Sequence, residues 1–227
     1  MSSFKETVTT ASANSITVFR IALVFVVIFF YEDGADLAIA AFFLTLLIIY
    51  LDSLDGFVAR KLKVASDFGA LLDIAGDRIV ENAFWIFFAA VGKISFWIPV
   101  VIVTRGFLVD MVRSVAFAEG KTPFGEKTMM RSRLTRFLVA SPFSRTTYAV
   151  SKVIAFSWLG GLITLQKGMD AGYWTVSGST FSLLTTIARI FAYTALAFCV
   201  IRGIPVLLDG KDLMLAKRYP KKLKDEG

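Results

Sequence analysis

Long apolar blocks separated by short charged segments run through the whole chain. The first extends from about Ile16 to Tyr31 and stops at Glu32, Asp33 and Asp36; others cover about Leu37 to Val58, Ala70 to Val91, Ile94 to Phe117, Val150 to Leu165 and Phe181 to Leu208. Each is close to the ~20 residues that carry a helix across a ~30 Å hydrocarbon core. The pattern predicts an all-α polytopic membrane protein with six transmembrane helices and both termini on one side. A signal peptide competes for the first block, but that block ends without a small-residue cleavage site and leads directly into the next. Residues 2–15 read either as a short interfacial helix or as a polar lead into the first span, with Asn14 or Ser15 as its N-cap.

Basic residues set the orientation. Arg60, Lys61 and Lys63 follow the second block, a run from Lys121 through Arg145 follows the fourth, and Lys211 to Lys224 follow the last. The opposite connections hold Glu32, Asp33 and Asp36, then Lys93, then Lys167 and Asp170, with Tyr173 and Trp174 as interface anchors. Cytoplasmic loops carry the excess of Lys and Arg, so both termini are expected in the cytoplasm. One membrane domain is expected over residues 1–227, with 1–15 a cytoplasmic or interfacial segment and 209–227 a basic cytoplasmic tail.

Composition sharpens this picture. Of the 227 residues 56% are hydrophobic and 19% charged, more apolar and less charged than soluble domains. The net charge of +7 is first an orientation signal and second an attraction to anionic headgroups; the basic residues flank spans rather than forming a soluble aromatic-interleaved module, so no nucleic acid is expected as a partner. Histidine is absent, which removes histidine-ligated zinc, histidine-held haem and a histidine general base from consideration. The one cysteine, Cys199, lies in an apolar run and reads as a small buried hydrophobe. A metal would therefore rest on oxygen ligands, which suits magnesium, manganese or calcium.

The chemistry concentrates between Leu51 and Asp77, in LDSLDGFVARKLKVASDFGALLDIAGD. Asp52 and Asp55 are three apart at the end of the second block, and Asp73 and Asp77 four apart at the start of the third, so each pair shares a helix face. A short basic loop joins the two blocks as antiparallel neighbours, which brings the pairs to similar depth. Carboxylates at such positions cost a few kcal/mol each on insertion and mark functional sites by default. A salt-bridge cluster with Arg60, Lys61, Lys63 and Arg78 is the structural alternative; a site for one or two divalent cations is the functional one. Gly56 with Ala59, and Gly69 with Gly76, leave room either for close helix packing or for a ligand against the metal cluster. Asp67, between the pairs, reads as a loop acid or helix cap.

These residues resemble the motif of the CDP-alcohol phosphotransferase family, D-x2-D-G-x2-A-R-x8-G-x3-D-x3-D. Asp52, Asp55, Gly56, Ala59, Arg60, Gly69, Asp73 and Asp77 occupy every fixed position. The resemblance implies transfer of a phosphatidyl-type group from a CDP-lipid to the hydroxyl of a small alcohol, with release of CMP. It further implies that the four aspartates surround one or two Mg²⁺ or Mn²⁺ ions and that Asp77 also takes the proton of the acceptor hydroxyl. Asp55, Gly56, Ala59, Arg60 and Gly69 would contact the CDP-lipid.

The acceptor is read from cations. Arg105 and Arg113 lie eight apart in the fourth block, followed by Lys127, Arg131, Arg133, Arg136 and Arg145, with Lys152 opening the fifth. The positive-inside pattern explains most of the loop residues; Arg105, inside a span, is better explained by a pocket for a phosphate. The candidate acceptor set is Arg105, Arg113, Lys127, Arg133, Arg136 and Lys152. Asn14, Ile16, Thr17 and Arg20 resemble the first-helix N-x-I-T-x-x-R of phosphatidyltransferases that use glycerol phosphate or serine. Glycerol 3-phosphate is the favoured acceptor, followed by inositol phosphate and then serine. A cation- or proton-coupled transporter is the alternative class, although the acid pattern occurs once, at one face, rather than in two repeats at the bilayer midplane. Small-residue faces on the spans support a homodimer.

Overall fold

The computed structural model describes the backbone of residues 2–62, 67–118, 130 and 132–216, and the side chains of 15–51, 69, 71–116, 130 and 132–211. The described residues form helices and no strand: α1 (Ser2–Glu32), α2 (Ala35–Leu62), α3 (Asp67–Ala90), α4 (Trp97–Ala118), α5 (Arg133–Ala140), α6 (Pro142–Asp170) and α7 (Gly178–Ala216). All but α5 contain all or most of one of the apolar blocks. Three described stretches are long and apolar enough to cross a membrane: Ser15–Glu32, Pro142–Asp170 and Gly178–Lys211. The described apolar part of α2 is the shorter Ala35–Leu51. Helices α3 and α4 have 24 and 22 residues, long enough to span at ~1.5 Å per residue, but α3 carries Asp73, Asp77, Arg78 and Glu81, and α4 carries Arg105, Asp110 and Arg113.

Helix α1 corrects one expectation. It is continuous from Ser2, so Asn14 and Ser15 lie inside it and neither caps the first span. Asp67, expected as a loop acid or a helix cap, is instead helical, in the first turn of α3.

The chain forms two compact units, Met1–Pro99 with Val153–Ala192, and Val100–Lys152 with Tyr193–Gly227. In the first unit α1 packs against both α2 and α3. Its buried stripe, Thr17, Arg20, Val24, Val27 and Tyr31, recurs every three or four residues, the period of one helix face. Tyr31 stacks on Phe87 at 5.6 Å between ring centroids and shares a 3.1 Å hydrogen bond with Thr45 Oγ1. Gly160 on α6 makes room for the Tyr31 hydroxyl, where a side chain would collide with it. Phe156 is ringed by Phe84, Trp85 and Phe88 at 5.2, 4.8 and 5.9 Å. Such aromatic contacts contribute beyond the apolar area they bury.

Two helix ends of this unit use the same device. Gly92 after α3 and Gly172 after α6 adopt φ of 73° and 77°, a left-handed conformation that glycine enters without a Cβ penalty. The following amides, of Lys93 and Tyr173, donate back to Phe88 O and Gly168 O at 2.9 Å each, satisfying terminal carbonyls. Tyr173 then donates its phenol to Asp36 Oδ1 at 2.9 Å, and Lys167 donates to the carbonyls of Glu32 and Asp33. Lys93 donates to Gln166, and burial pushes its ammonium below the usual lysine range against the pull of Asp170.

In the second unit the short α5 starts with a reciprocal cap. Thr135 N donates to Ser132 Oγ at 3.0 Å, and Ser132 N donates to Thr135 Oγ1 at 3.2 Å. Pro142 opens α6 at a position that tolerates a missing amide, and Ser141 Oγ accepts from Ser144 N at 3.1 Å. The core of this unit gathers Val109, Val112 and Ala116 of α4, Met130, Val139 of α5 and Val206 of α7.

Candidate active site

The motif residues fall on two helices. Asp52, Asp55, Gly56, Ala59 and Arg60 lie on the C-terminal part of α2, where their backbone is helical; their side chains lie outside the described residues. Gly69 sits in the first turn of α3 and is half-buried. Asp73 and Asp77 follow on the same face of α3, with side chains 47% and 50% exposed.

Facing them from α1 is a residue to which the motif assigns no part. Arg20 is 1% exposed, yet its Nη2 donates to Asp77 Oδ1 at 2.5 Å and lies 3.7 Å from Asp73 Oδ1. The close crossing of α1 and α3 places it there. A Cβ on Gly76 would stand 2.6 Å from Thr17 Cγ2 and 3.4 Å from Ile21 Cδ1, so only glycine lets α3 approach α1 this closely. Thr17 and Ile21 flank Arg20 on α1, and the crossing fixes its register against the two acids. Arg78, directly after Asp77, lies 3.8 Å from the buried Glu81 one turn further along α3.

The two described aspartates fit a divalent cation. Oδ1 of Asp77 accepts from Arg20 Nη2 at 2.5 Å and Oδ1 of Asp73 lies 3.7 Å from the same nitrogen, so both carboxylates face one positive charge. They are hard, half-exposed carboxylates, the donor type that magnesium and manganese take. Among the described residues no group of three or more metal-ligating side chains occurs; the other two candidate ligands, Asp52 and Asp55, are not among the described side chains.

The second unit holds a cluster of cations, some expected and some not. Arg105 lies across Gly203 of α7, where a Cβ would stand 2.5 Å from its Nε and 2.7 Å from its Cγ; that Nε is buried and makes no hydrogen bond. Next to Gly203, Arg202 is buried at 7% exposure. Its Nη1 donates to Ser144 Oγ at 2.6 Å and its Nη2 to Val139 O at 3.3 Å, while its Nε makes no hydrogen bond. Arg105 and Arg145 bring like charge to the Arg202 guanidinium. Lys152 stands over the Tyr148 ring at 4.8 Å, and Arg202 over the same ring at 5.7 Å. Of the remaining acceptor candidates, Arg113 lies 3.9 Å from Asp110, Arg133 and Arg136 are exposed on α5, and Lys127 lies outside the described residues. Arg202 was not among the residues expected from sequence. The available signal was an arginine inside an apolar run, the same signal that singled out Arg105.

The family model of CDP-alcohol phosphatidyltransferase matches residues 10–201. A probable phosphatidylglycerophosphate synthase of Mycobacterium tuberculosis is 31% identical over 167 residues, which is 70% of this chain and 78% of the relative. Shorter stretches match CDP-diacylglycerol–glycerol-3-phosphate 3-phosphatidyltransferases: that of Mycoplasma pneumoniae at 40% over 65 residues, 29% of each chain, and that of Bacillus subtilis at 33% over 70 residues, 31% of this chain and 36% of the relative. The chain belongs to the CDP-alcohol phosphatidyltransferase family. It is a membrane-embedded transferase of phospholipid synthesis, and the transporter alternative is set aside.

Proposed function

We propose that this enzyme moves the phosphatidyl group of CDP-diacylglycerol to the primary hydroxyl of glycerol 3-phosphate and releases CMP. The observation that carries the reading is the pairing of Asp73 and Asp77 on one face of α3, around one cationic point, in a chain of this family. Asp52, Asp55, Asp73 and Asp77 hold one or two ions, with Mg²⁺ or Mn²⁺ the fitting choice. The bound cation supplies neutralisation of the pyrophosphate and of the charge that develops on departing CMP. Asp77 orients the acceptor hydroxyl and takes its proton as the oxygen bonds to the phosphatidyl phosphorus; the bond from that phosphorus to the bridging oxygen breaks, and CMP carries the electron pair away. Asp55, Gly56, Ala59, Arg60 and Gly69 receive the nucleotide end of the lipid.

Glycerol 3-phosphate is the acceptor named for the Mycoplasma pneumoniae and Bacillus subtilis relatives, and the cations of the second unit suit its phosphate. Arg105, Arg145, Arg202 and Lys152 gather positive charge around buried guanidinium nitrogens with unused hydrogen-bonding capacity, the chemistry that binds a phosphate. Of the sequence-derived set, Arg133 and Arg136 are exposed on α5 and Arg113 has Asp110 beside it. The proposed setting is one catalytic domain of six spans with both termini and the aspartates at the cytoplasmic face, in a homodimer. The acceptor is tested by supplying purified enzyme with CDP-diacylglycerol and, in turn, glycerol 3-phosphate, inositol phosphate, inositol and serine. Phosphatidylglycerophosphate should be the lipid product; a product formed only with another alcohol would overturn the assignment.

A further inference from the structure

The transfer described above leaves Arg20 without a task, although among the described residues of the first unit it is the most enclosed charge. At 1% exposure it reaches the acids from the protein interior, whereas Asp73 and Asp77 remain about half exposed on their other side. A guanidinium buried in an apolar span costs several kcal/mol unless it is paired, so its position is maintained by those carboxylates and maintains them in turn. Its Nη2 donates to Asp77 Oδ1 at 2.5 Å, which orients that carboxylate, and stands 3.7 Å from Asp73 Oδ1, within ion-pair range. At Gly76 α3 comes so close to α1 that a Cβ would stand 2.6 Å from Thr17 Cγ2 and 3.4 Å from Ile21 Cδ1, the residues on either side of Arg20.

We propose that Arg20 is a resident counter-cation and positioning residue of the metal site, an inference that rests on Asp73 and Asp77 being cation ligands. From the inside it holds the two carboxylates converged, and its positive charge opposes the incoming divalent ion, so the site binds its metal more weakly than its carboxylates alone would. Both effects come from one guanidinium, and they have opposite consequences when it is removed. Losing the charge tightens cation binding, because a like charge a few ångströms away is gone. Losing the clamp lets Asp73 and Asp77 adopt other rotamers, and turnover falls because the base is no longer held on the acceptor. A residue that only stabilised the fold would not tighten metal binding when removed.

The test compares wild type, Arg20→Gln, Arg20→Lys and Asp73→Asn, each purified in detergent and shown to be monodisperse. Mn²⁺ affinity is read by electron paramagnetic resonance on protein without substrates, and kcat by CMP release. Arg20→Gln should bind Mn²⁺ roughly tenfold more tightly, while its kcat falls by roughly tenfold to a hundredfold. Arg20→Lys, which keeps the charge but not the fork, should retain wild-type Mn²⁺ affinity and recover part of the turnover. Unchanged or weaker Mn²⁺ binding by Arg20→Gln, or wild-type kcat, overturns the proposal. Should Arg20→Gln not fold, Arg20→Lys decides: reduced kcat at wild-type Mn²⁺ affinity supports the proposal, and an unchanged kcat overturns it. Asp73→Asn tests the underlying site separately, since wild-type Mn²⁺ affinity in that variant would remove Asp73 from the ligands whatever Arg20 does.

Discussion

Substituting Gly76 by alanine probes the crossing on which the site geometry depends. The new Cβ would lie 2.6 Å from Thr17 Cγ2, about 0.8 Å short of ordinary contact, while Ile21 Cδ1 at 3.4 Å would just touch it. Thr17 is buried among packed helices, so the strain is relieved either by a rotamer change of its methyl or by a shift of α1. Overpacking of this kind costs about 1–3 kcal/mol in a well-packed interior. A shift approaching ~1 Å also detaches Arg20 from Asp77, which is expected to slow transfer by roughly tenfold to a hundredfold. The assay is CMP release at saturating substrates alongside thermal stability in detergent. The double variant Gly76→Ala/Thr17→Ser removes the offending methyl while keeping the hydroxyl and should recover most of the activity. Gly106→Ala is the control: its Cβ meets nothing within 4 Å, so activity should be retained. Wild-type turnover by Gly76→Ala, or no recovery in the double variant, would refute the reasoning.

Other expectations follow from the same geometry. Arg202→Lys cannot reach both Ser144 and Val139 with a planar fork, so KM for glycerol 3-phosphate should rise at least tenfold, measured by product formation against acceptor concentration. Phe156→Ala removes the ring that Phe84, Trp85 and Phe88 surround and should cost about 3–5 kcal/mol, read as a lowered Tm in detergent. The Tyr173 phenol is raised above its usual 10.0 because its neutral form donates to Asp36, whose charge also disfavours the phenolate. A raised folded value means that this loop tie is fully present below pH 10.0 and is lost as pH rises through the higher value. Phenolate absorbance should therefore appear at lower pH in Asp36→Asn than in wild type; coincident titrations would contradict the tie.

Much of the fold follows from apolar runs alone, because a helix in lipid must satisfy its own backbone and so follows the hydrophobic block. Helix ends were less legible. Helix α6 begins at Pro142 and α7 continues to Ala216, beyond the apolar blocks, since polar turns extend a helix at little cost once it is nucleated. Helix α5 was missed inside a charged loop, although Ser132 and Pro142 on either side are a cap and a stop signal.

The candidate site divides in a similar way. The aspartates were legible because their spacing is local and repeats the helix period. Arg20 and Asp77 are separated by 57 residues in sequence, and no periodicity links them. The same holds for Arg202 and Ser144, 58 apart, whose contact depends on how α7 meets the start of α6 within the second unit. Arg105 was singled out from its setting in an apolar run, and the structure adds what lies against it, the missing side chain at Gly203.

The proposed reaction is a cation-dependent phosphatidyl transfer from a CDP-lipid at the aspartates of α2 and α3. Its most direct test is CMP release from CDP-diacylglycerol and glycerol 3-phosphate with Mg²⁺, by wild type and by Asp77→Asn. Release by the wild type should stop with EDTA and be absent in Asp77→Asn, while that variant still binds the CDP-lipid. Release that persists in EDTA, or wild-type release by Asp77→Asn, would contradict it.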